Sequence, residues 1–504
     1  MIAMASLVAS ALLAAAPAID AEIRAVAALA GEPRIVSAAG VTRDEASILT
    51  IENTTAFDPA DTRRRVVLIG APGTDDRAVV DVVRWFKTRA PRAVRQRWTL
   101  SALPVARFEP ADTQSLSRWI TFQAPDLIVT VGSIPVPPSA PVESVAATNI
   151  AAAFQKLLAA PRERSALHAA LVSRVQREPI AIARLLAPRY PEAPGISYIP
   201  AVAWAQTLRV AEIAGDESLR EKVHRQTRPW LTGEQKLFGD RVQLTAVAGT
   251  LIFADLAAAG NAAAAPLLDE GAALAAAEKA PAVPEYGQGW TDDMFMATAV
   301  LARSGARPGH ERDLDVAARL LTGYSARLQQ SSGLFNHAAN GPAAWGRGNG
   351  FAALGLVEAL TRMPAAHAAR AKLLEIYRRQ MAAVKAQQAP DGMWRQIIDE
   401  PGAYREETAT AMLMSAMARG VRLGWLDASY RPAIERAWRG LAAHVADDGT
   451  LVDVCSGTGA GPTRRYYFDR PAVTGADDRG GAMALLAAVE MYELGKTSPA
   501  PAPR

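Results

Sequence analysis

Beyond about residue 165 the chain alternates between two kinds of helix-length segment. One kind is apolar or small on nearly every side: Val202–Ile213, Leu244–Ala259, Met294–Ser304, Phe351–Met363, Thr408–Gly420 and Gly481–Leu494. The other carries an apolar stripe and a charged face: Leu167–Leu186, Glu217–Leu231, His310–Gln329, Ala368–Gln387 and Tyr430–Val445. A helix apolar all round is buried, whereas a striped one faces water. Six buried helices interleaved with charged ones predict an inner ring wrapped by an outer ring, an (α/α)6 toroid over residues 165–496. Stop signals agree, because the inner segments end at or near Gly215, Gly260, Gly305, Pro364, Gly424 and Gly495. The spacings between these stops, by subtraction, are 45, 45, 59, 60 and 71 residues. Each is about one helical hairpin, and the lengthening predicts inserted loops, which in a repeated architecture collect on one face.

Residues 30–145 show a different period. Short β-rich runs occur at Ile35–Val41, Ile48–Ile51, Val66–Ile69, Trp98–Val105 and Leu127–Val131. Between them Arg77–Ala90 and Thr113–Gln123 have helical spacing. That order predicts a small α/β layer domain, closed by the linker-like run from Ile134 to Pro141. Residues 497–504 read as a disordered tail.

Composition narrows the function classes. The 504 residues are half hydrophobic, enough for two or three packed domains. A net charge of +4, spread along the chain without a basic block interleaved with aromatics, argues against nucleic-acid binding. The single Cys455 excludes an internal disulfide and a cysteine-based zinc site. Residues 1–21 read as a leader, with an apolar stretch from Ile2 to Ala16 and a small-residue cleavage site at Ala16-Pro17-Ala18 or Ile19-Asp20-Ala21. Periplasmic or secreted location is the expectation, or cytoplasmic if that segment stays on. No later stretch is apolar for long enough to span a bilayer, so the mature protein is expected to have no membrane partner. Oligomeric state stays open.

The candidate chemistry sits just before the inner helices. Gly239-Asp240-Arg241 precedes the second, Trp290-Thr291-Asp292-Asp293 the third and Trp345-Gly346-Arg347-Gly348-Asn349-Gly350-Phe351 the fourth. Tyr404-Arg405-Glu406-Glu407 precedes the fifth and Asp477-Asp478-Arg479 the sixth. If the inner helices run parallel, these clusters converge on one end, where helix N-termini favour an anionic ligand. Exposed Trp290, Trp345 and Trp394 would suit the apolar faces of sugar rings, and the glycines of the fourth cluster would form a tight turn at the helix start. Each cluster also has a plainer reading. Asp292 serves as a helix cap, His337 as a loop histidine, Glu406-Glu407 as a solvated first turn, and Asp477-Asp478-Arg479 as a capped start with a surface charge pair.

Trp290-Thr291-Asp292-Asp293-Met294-Phe295-Met296-Ala297 resembles the aspartate motif of unsaturated rhamnogalacturonyl hydrolases and unsaturated glucuronyl hydrolases, glycoside hydrolase families 105 and 88. Gly333-Leu334-Phe335-Asn336-His337, the Trp345–Phe351 run and Asp391-Gly392-Met393-Trp394-Arg395-Gln396 continue the series in the family's order. Val454-Cys455-Ser456-Gly457-Thr458-Gly459, then Tyr466-Tyr467 and Arg470-Pro471, complete it, so the likeness runs from about Ser165 to Gly495. The resemblance implies removal of a 4,5-unsaturated uronic acid from the non-reducing end of lyase-generated oligosaccharides, most readily pectin-derived, with no metal and no cofactor. One aspartate protonates C4 of the enol ether and water adds at C5. The motif places that aspartate at Asp292, whose pKa should be raised by burial or by a neighbouring carboxylate, with Asp240 the candidate neighbour. It further implies that His337 and Arg347 touch the uronate or the next sugar, with Trp290, Trp345 and Trp394 binding substrate.

Some positions depart from the family pattern. Ala338-Ala339-Asn340 follows the histidine where an aromatic and an acid are frequent, and Phe351 stands where tryptophan is frequent. These put the sugar beyond the scissile bond in doubt. The α/β segment resembles a zinc carboxypeptidase domain, but Pro72, Asp75 and Gly132 stand where His, Glu and His would bind zinc. A degenerate accessory domain is the expectation. Two alternatives stay beside the leading one: a conventional endo-glycosidase using Asp292 and Asp293 as an acid/base pair, and a non-catalytic carbohydrate-binding protein.

Overall fold

A computed structural model describes residues 19–497 apart from 32–34, 56, 72–75, 109–112 and 138. The leader-like stretch up to residue 18, the tail beyond residue 497, and Pro72 and Asp75 lie outside the described residues. Two compact units divide the chain. One runs to Gln176 and includes Ala389–Asp391 and Glu400–Tyr404; the other takes Arg177–Gln388, Gly392–Asp399 and the chain from Arg405 on.

The first unit is a six-stranded sheet between helices. Its strands are β1 (Ile35–Val41), β2 (Ser47–Glu52), β3 (Arg64–Gly70), β4 (Trp98–Leu103), β5 (Leu127–Val131) and β6 (Val142–Val145), in the order β1-β2-β4-β3-β5-β6. β4, β3, β5 and β6 run parallel, while β1 and β2 add an antiparallel edge. Strands buried on both faces need helices on both faces, and β3 shows the split residue by residue. Val66 and Leu68 pack with helices 19–28, Asp76–Thr88 and Ile150–Ala159, whereas Val67 and Ile69 pack with Leu116, Trp119 and Ile120 of the helix Thr113–Gln123. The proline-rich run expected to close the domain does not close it. It leads into β6, four residues in which polar Glu143 and Ser144 stand side by side, so no alternation marks a strand.

The second unit is the (α/α)6 toroid. Its inner helices are Tyr198–Ala214, Leu244–Gly249 continued by Ile252–Ala258, Thr291–Met296 continued by Thr298–Gly305, Gly346–Arg362, Glu407–Arg422 and Asp478–Lys496. Each packs on the next, and the sixth returns to the first, which closes the ring. Outer helices Glu217–Leu231, Ala264–Ala276, Arg312–Leu328, Arg370–Ala386 and Arg431–His444 follow inner ones, and Pro179–Leu186 covers the sixth. The Ala-rich outer helix Ala264–Ala276 was absent from the sequence expectation because its stripe lacks charge contrast. The expected single helix Leu167–Leu186 is broken before Pro179, which has no N–H to donate and opens a new helix instead.

The C-terminal ends of the inner helices are joined by ion pairs. Glu358 of the fourth helix meets Arg303 of the third at 3.2 Å, Arg419 of the fifth at 2.8 Å and its own Arg362 at 2.8 Å. Arg419 also bonds Glu490 of the sixth helix, and Arg303 reaches Asp255 of the second at 2.6 Å. Guanidinium groups suit this end, where unpaired helix carbonyls concentrate negative potential. Burial opposes ionisation of Glu358, but Arg362, Arg303 and Arg419 outweigh it and hold the carboxyl far below the usual range.

Glu358→Gln should therefore leave guanidinium groups under-compensated and cost about 3–5 kcal/mol, read as a lowered midpoint in urea unfolding. A depressed acid adds stability above its unfolded value of 4.5 and loses it as pH falls below. The difference between wild type and variant should therefore shrink in acid.

Candidate active site

At the opposite end of the toroid the inner-helix N-termini gather the polar residues. Asp292 and Asp293 open the third helix, Arg347 the fourth, Glu407 the fifth after its cap Glu406, and Arg479 the sixth after its cap Asp477. Their mutual fields show that they converge. Burial pushes the Tyr198 phenol of the first helix up; Arg347 and Arg479 pull it back, and Asp292 and Asp477 add to the rise. The helices around this axis are therefore parallel, with their positive ends together.

Asp292 is partly exposed, at 14% of its side chain, whereas Asp293 beside it is buried. Successive helix positions point about 100° apart, and here one looks out while the other looks in. Asp293 Oδ2 accepts the backbone N–H groups of Gln288, Gly289 and Trp290 at 2.9, 2.7 and 3.3 Å and the Tyr324 hydroxyl at 2.5 Å. It pins the loop that carries Trp290. Burial pushes its carboxyl up to about 6 and Asp292 adds to the rise, while Tyr324 and the backbone donors work against it.

His337 is fully buried and joins this start from a distant loop. Its Nε2 lies 3.1 Å from Asp292 Oδ2 and its Nδ1 lies 2.9 Å from the Tyr467 hydroxyl. Its ring sits 4.3 Å from the Trp345 indole and 5.4 Å from Trp290. The backbone holds the loop in register: Thr291 N–H donates to His337 O at 2.9 Å and His337 N–H to Ala343 O at 3.0 Å. Asn349 clamps Phe335 from both sides, accepting its N–H at 2.8 Å and donating to its carbonyl at 2.9 Å.

The Trp345–Phe351 run works differently from the sequence expectation. Its glycines do not form a turn, because the helix already begins at Gly346. They clear space on a packed face. A Cβ on Gly348 would stand 2.6 Å from Thr291 Oγ1 and 3.0 Å from the Trp345 ring, and one on Gly346 would stand 2.4 Å from the Arg395 carbonyl. Arg347 is buried and spends its fork on the carbonyls of Cys455 and Ser456, at 2.5 and 2.7 Å, with its guanidinium 4.8 Å over the Trp345 ring. The carbonyls come from the hairpin of Leu451–Cys455 and Ala472–Gly475, and Arg479 shares the Cys455 carbonyl at 3.2 Å.

Three expectations need correction. Trp394 is not exposed: it lies in the core with its indole N–H on the Val384 carbonyl at 2.7 Å, so it offers no face to a sugar. Trp345 is buried too: its ring packs against His337 and lies under the Arg347 guanidinium, so it backs those two residues. Asp240 is exposed on the stretch before the second inner helix, and the carboxyl that feels the charge of Asp292 is its neighbour Asp293. Trp290 is half-buried at the rim, as a sugar contact requires.

Two residues that the sequence motifs include had no place in the expected site. Tyr467 lies 130 positions from its partner His337, a distance no local pattern spans. Glu407 reads as a solvated first turn, yet it is wholly buried and both its oxygens lack a hydrogen-bond partner among the described residues. The signal available was that it opens an otherwise apolar helix. Glu406 takes the capping work, accepting from Thr408 N at 3.0 Å, Ala409 N at 2.6 Å and Cys455 N at 2.8 Å. Burial, then Glu406, then Asp477 push the Glu407 carboxyl well above its usual range, with Arg347 opposing. An acid raised on folding stabilises most below its unfolded value of 4.5 and loses that contribution as pH rises.

The model of Glycosyl Hydrolase Family 88 matches residues 184–495, well over half of the chain. The unsaturated rhamnogalacturonyl hydrolase YesR of Bacillus subtilis is 29% identical over 192 residues, 36% of this chain and 54% of its own length. The chain thus spans about half of that relative. Among solved structures, a possible member of the GH105 family from Klebsiella pneumoniae is similar with a TM-score of 0.56 at 21% identity, covering 72% of this chain and all of that one. A glycoside hydrolase from family 105 of C. acetobutylicum gives 0.57 at 19% identity, over 63% of this chain and 99% of that one. These likenesses show the fold.

Glu407→Gln removes the buried charge and keeps the shape. It should leave the melting temperature near wild type at acid pH and raise it at alkaline pH, as calorimetry across pH would show.

Proposed function

The chain belongs to Glycosyl Hydrolase Family 88, and from that premise we propose that it removes a 4,5-unsaturated uronic acid from the non-reducing end of oligosaccharides produced by polysaccharide lyases. The observation that carries this reading is Asp292. Its carboxyl is partly exposed at the end where helix N-termini, Arg347 and Arg479 favour an anionic sugar, while Asp293, Glu406 and Glu407 around it are buried. The acid gives its proton to C4 of the enol ether, and the positive charge that develops at C5 and the ring oxygen is quenched by water. The proton released by that water returns to Asp292, so the residue ends as it began. The hemiketal formed at C5 then opens and releases the next sugar. Trp290 at the rim supplies an apolar face for a ring.

Fragments of rhamnogalacturonan are the favoured substrates, on the strength of the name borne by the Bacillus relative. An Asp292/Asp293 acid and base pair is the poorer reading, because Asp293 lies under four donors and cannot reach a substrate.

Incubation with lyase products of pectin, glycosaminoglycan and algal polysaccharide should bleach the absorbance of the unsaturated uronate, fastest with the pectin-derived set. Asp292→Asn should slow the bleaching by about 10²–10⁴-fold. Turnover by that variant at the wild-type rate would remove Asp292 from the mechanism.

A further inference from the structure

We propose that Tyr467 is a positioning residue which, acting through His337, dictates which oxygen of Asp292 carries the acidic proton. The inference rests on Asp292 being the proton donor, and its substrate-free measurement stands apart from that reading. The geometry is a chain of three side chains. The Tyr467 oxygen accepts the Gly461 backbone N–H at 3.2 Å and lies 2.9 Å from His337 Nδ1. His337 Nε2 lies 3.1 Å from Asp292 Oδ2.

A phenol has one proton to give. With Gly461 donating to its oxygen, the Tyr467 O–H is free to point at Nδ1. Nδ1 then accepts, so the neutral imidazole carries its proton on Nε2 and donates it to Asp292 Oδ2. A carboxyl oxygen that accepts such a bond is the carbonyl oxygen of the protonated acid. The acidic proton is left on Oδ1, the oxygen that no described residue engages, and which can face a substrate. Without the phenol the imidazole could place its proton on Nδ1, and Nε2 would accept from Asp292, drawing the catalytic proton inward and away from C4.

The surroundings are built to keep this chain intact. His337 and Tyr467 are both fully buried, so bulk water does not compete for either ring nitrogen. Burial pushes the phenol up to about 12, with Tyr466 and Asp292 adding to the rise against the Gly461 N–H, so it keeps its proton at working pH. The packing leaves room for the hydroxyl only because glycine stands at 341, where a Cβ would come within 2.7 Å of it. Gln396 holds the Tyr467 carbonyl at 2.7 Å, fixing the backbone behind the ring. The charged or titratable groups facing His337 are Asp292 and Tyr467, with Arg347 beyond the shared Trp345 indole.

The test uses the full-length protein with its histidines labelled by ¹⁵N, the His337 signals being assigned by their loss in His337→Gln. The expected wild-type spectrum shows a neutral ring protonated on Nε2, and Tyr467→Phe should populate the form protonated on Nδ1. A wild-type ring protonated on Nδ1, or on both nitrogens through the working range, overturns the proposal without substrate or turnover. In the bleaching assay Tyr467→Phe should lower kcat by roughly 10–100-fold with KM within about twofold, since the phenol holds no substrate. Unchanged kcat, or a loss confined to KM, also overturns it. If wild type bleaches none of the oligosaccharides, the proposed activity fails while the tautomer result still decides the role of Tyr467.

Discussion

Six inner helices that run the same way around one axis bring like ends together, and the rest of the toroid answers to that constraint. Parallel dipoles repel side by side, and each end leaves its unpaired backbone groups crowded. The negative end is met by Arg303, Arg362, Arg419 and Arg422, threaded through Glu358 and Glu490. The positive end is met by Asp292, Asp293, Glu406 and Asp477. The distribution of charge along these helices is thus a condition of closing the ring before it is a matter of chemistry.

The acids at the positive end divide their labour by burial. Asp293, Glu406 and Asp477 accept backbone N–H groups and hold loops or caps in place. Asp292 is left with His337 on one oxygen and an open side on the other. Glu407 is the costly member, since a buried acid with no hydrogen-bond partner among the described residues forfeits the hydration it had when unfolded. Burial, with Glu406 and Asp477 adding to it, raises its carboxyl well above the usual range, which answers that cost.

Positioning comes from segments far apart in the chain. The loop carrying His337 is clamped by Asn349, and the hairpin at 451–475 delivers carbonyls to Arg347 and Arg479. The lengthened connections toward the C-terminus are the material of this end: they supply the Cys455 and Ser456 carbonyls and the Tyr467 hydroxyl.

The inner and outer helices were legible because burial all round and burial on one stripe leave different periods in a sequence. The toroid, the order of its inner helices and the clustering of polar residues at their starts followed from that. Ala264–Ala276 and β6 were not legible, since neither carries the contrast on which a period depends. Exposure was the weakest inference. Trp345 and Trp394 have the side chains of a sugar platform, but both are buried: Trp345 behind His337 and Arg347, and Trp394 with its indole on the Val384 carbonyl. Which of two adjacent aspartates faces out, and which tyrosine reaches His337 across 130 residues, are likewise set by packing. The sequence determined the repeat and the kinds of residue gathered at one end. Only the tertiary structure decided who touches whom there, because a hydrogen bond depends on atoms within about 3 Å, and sequence periodicity speaks only of faces.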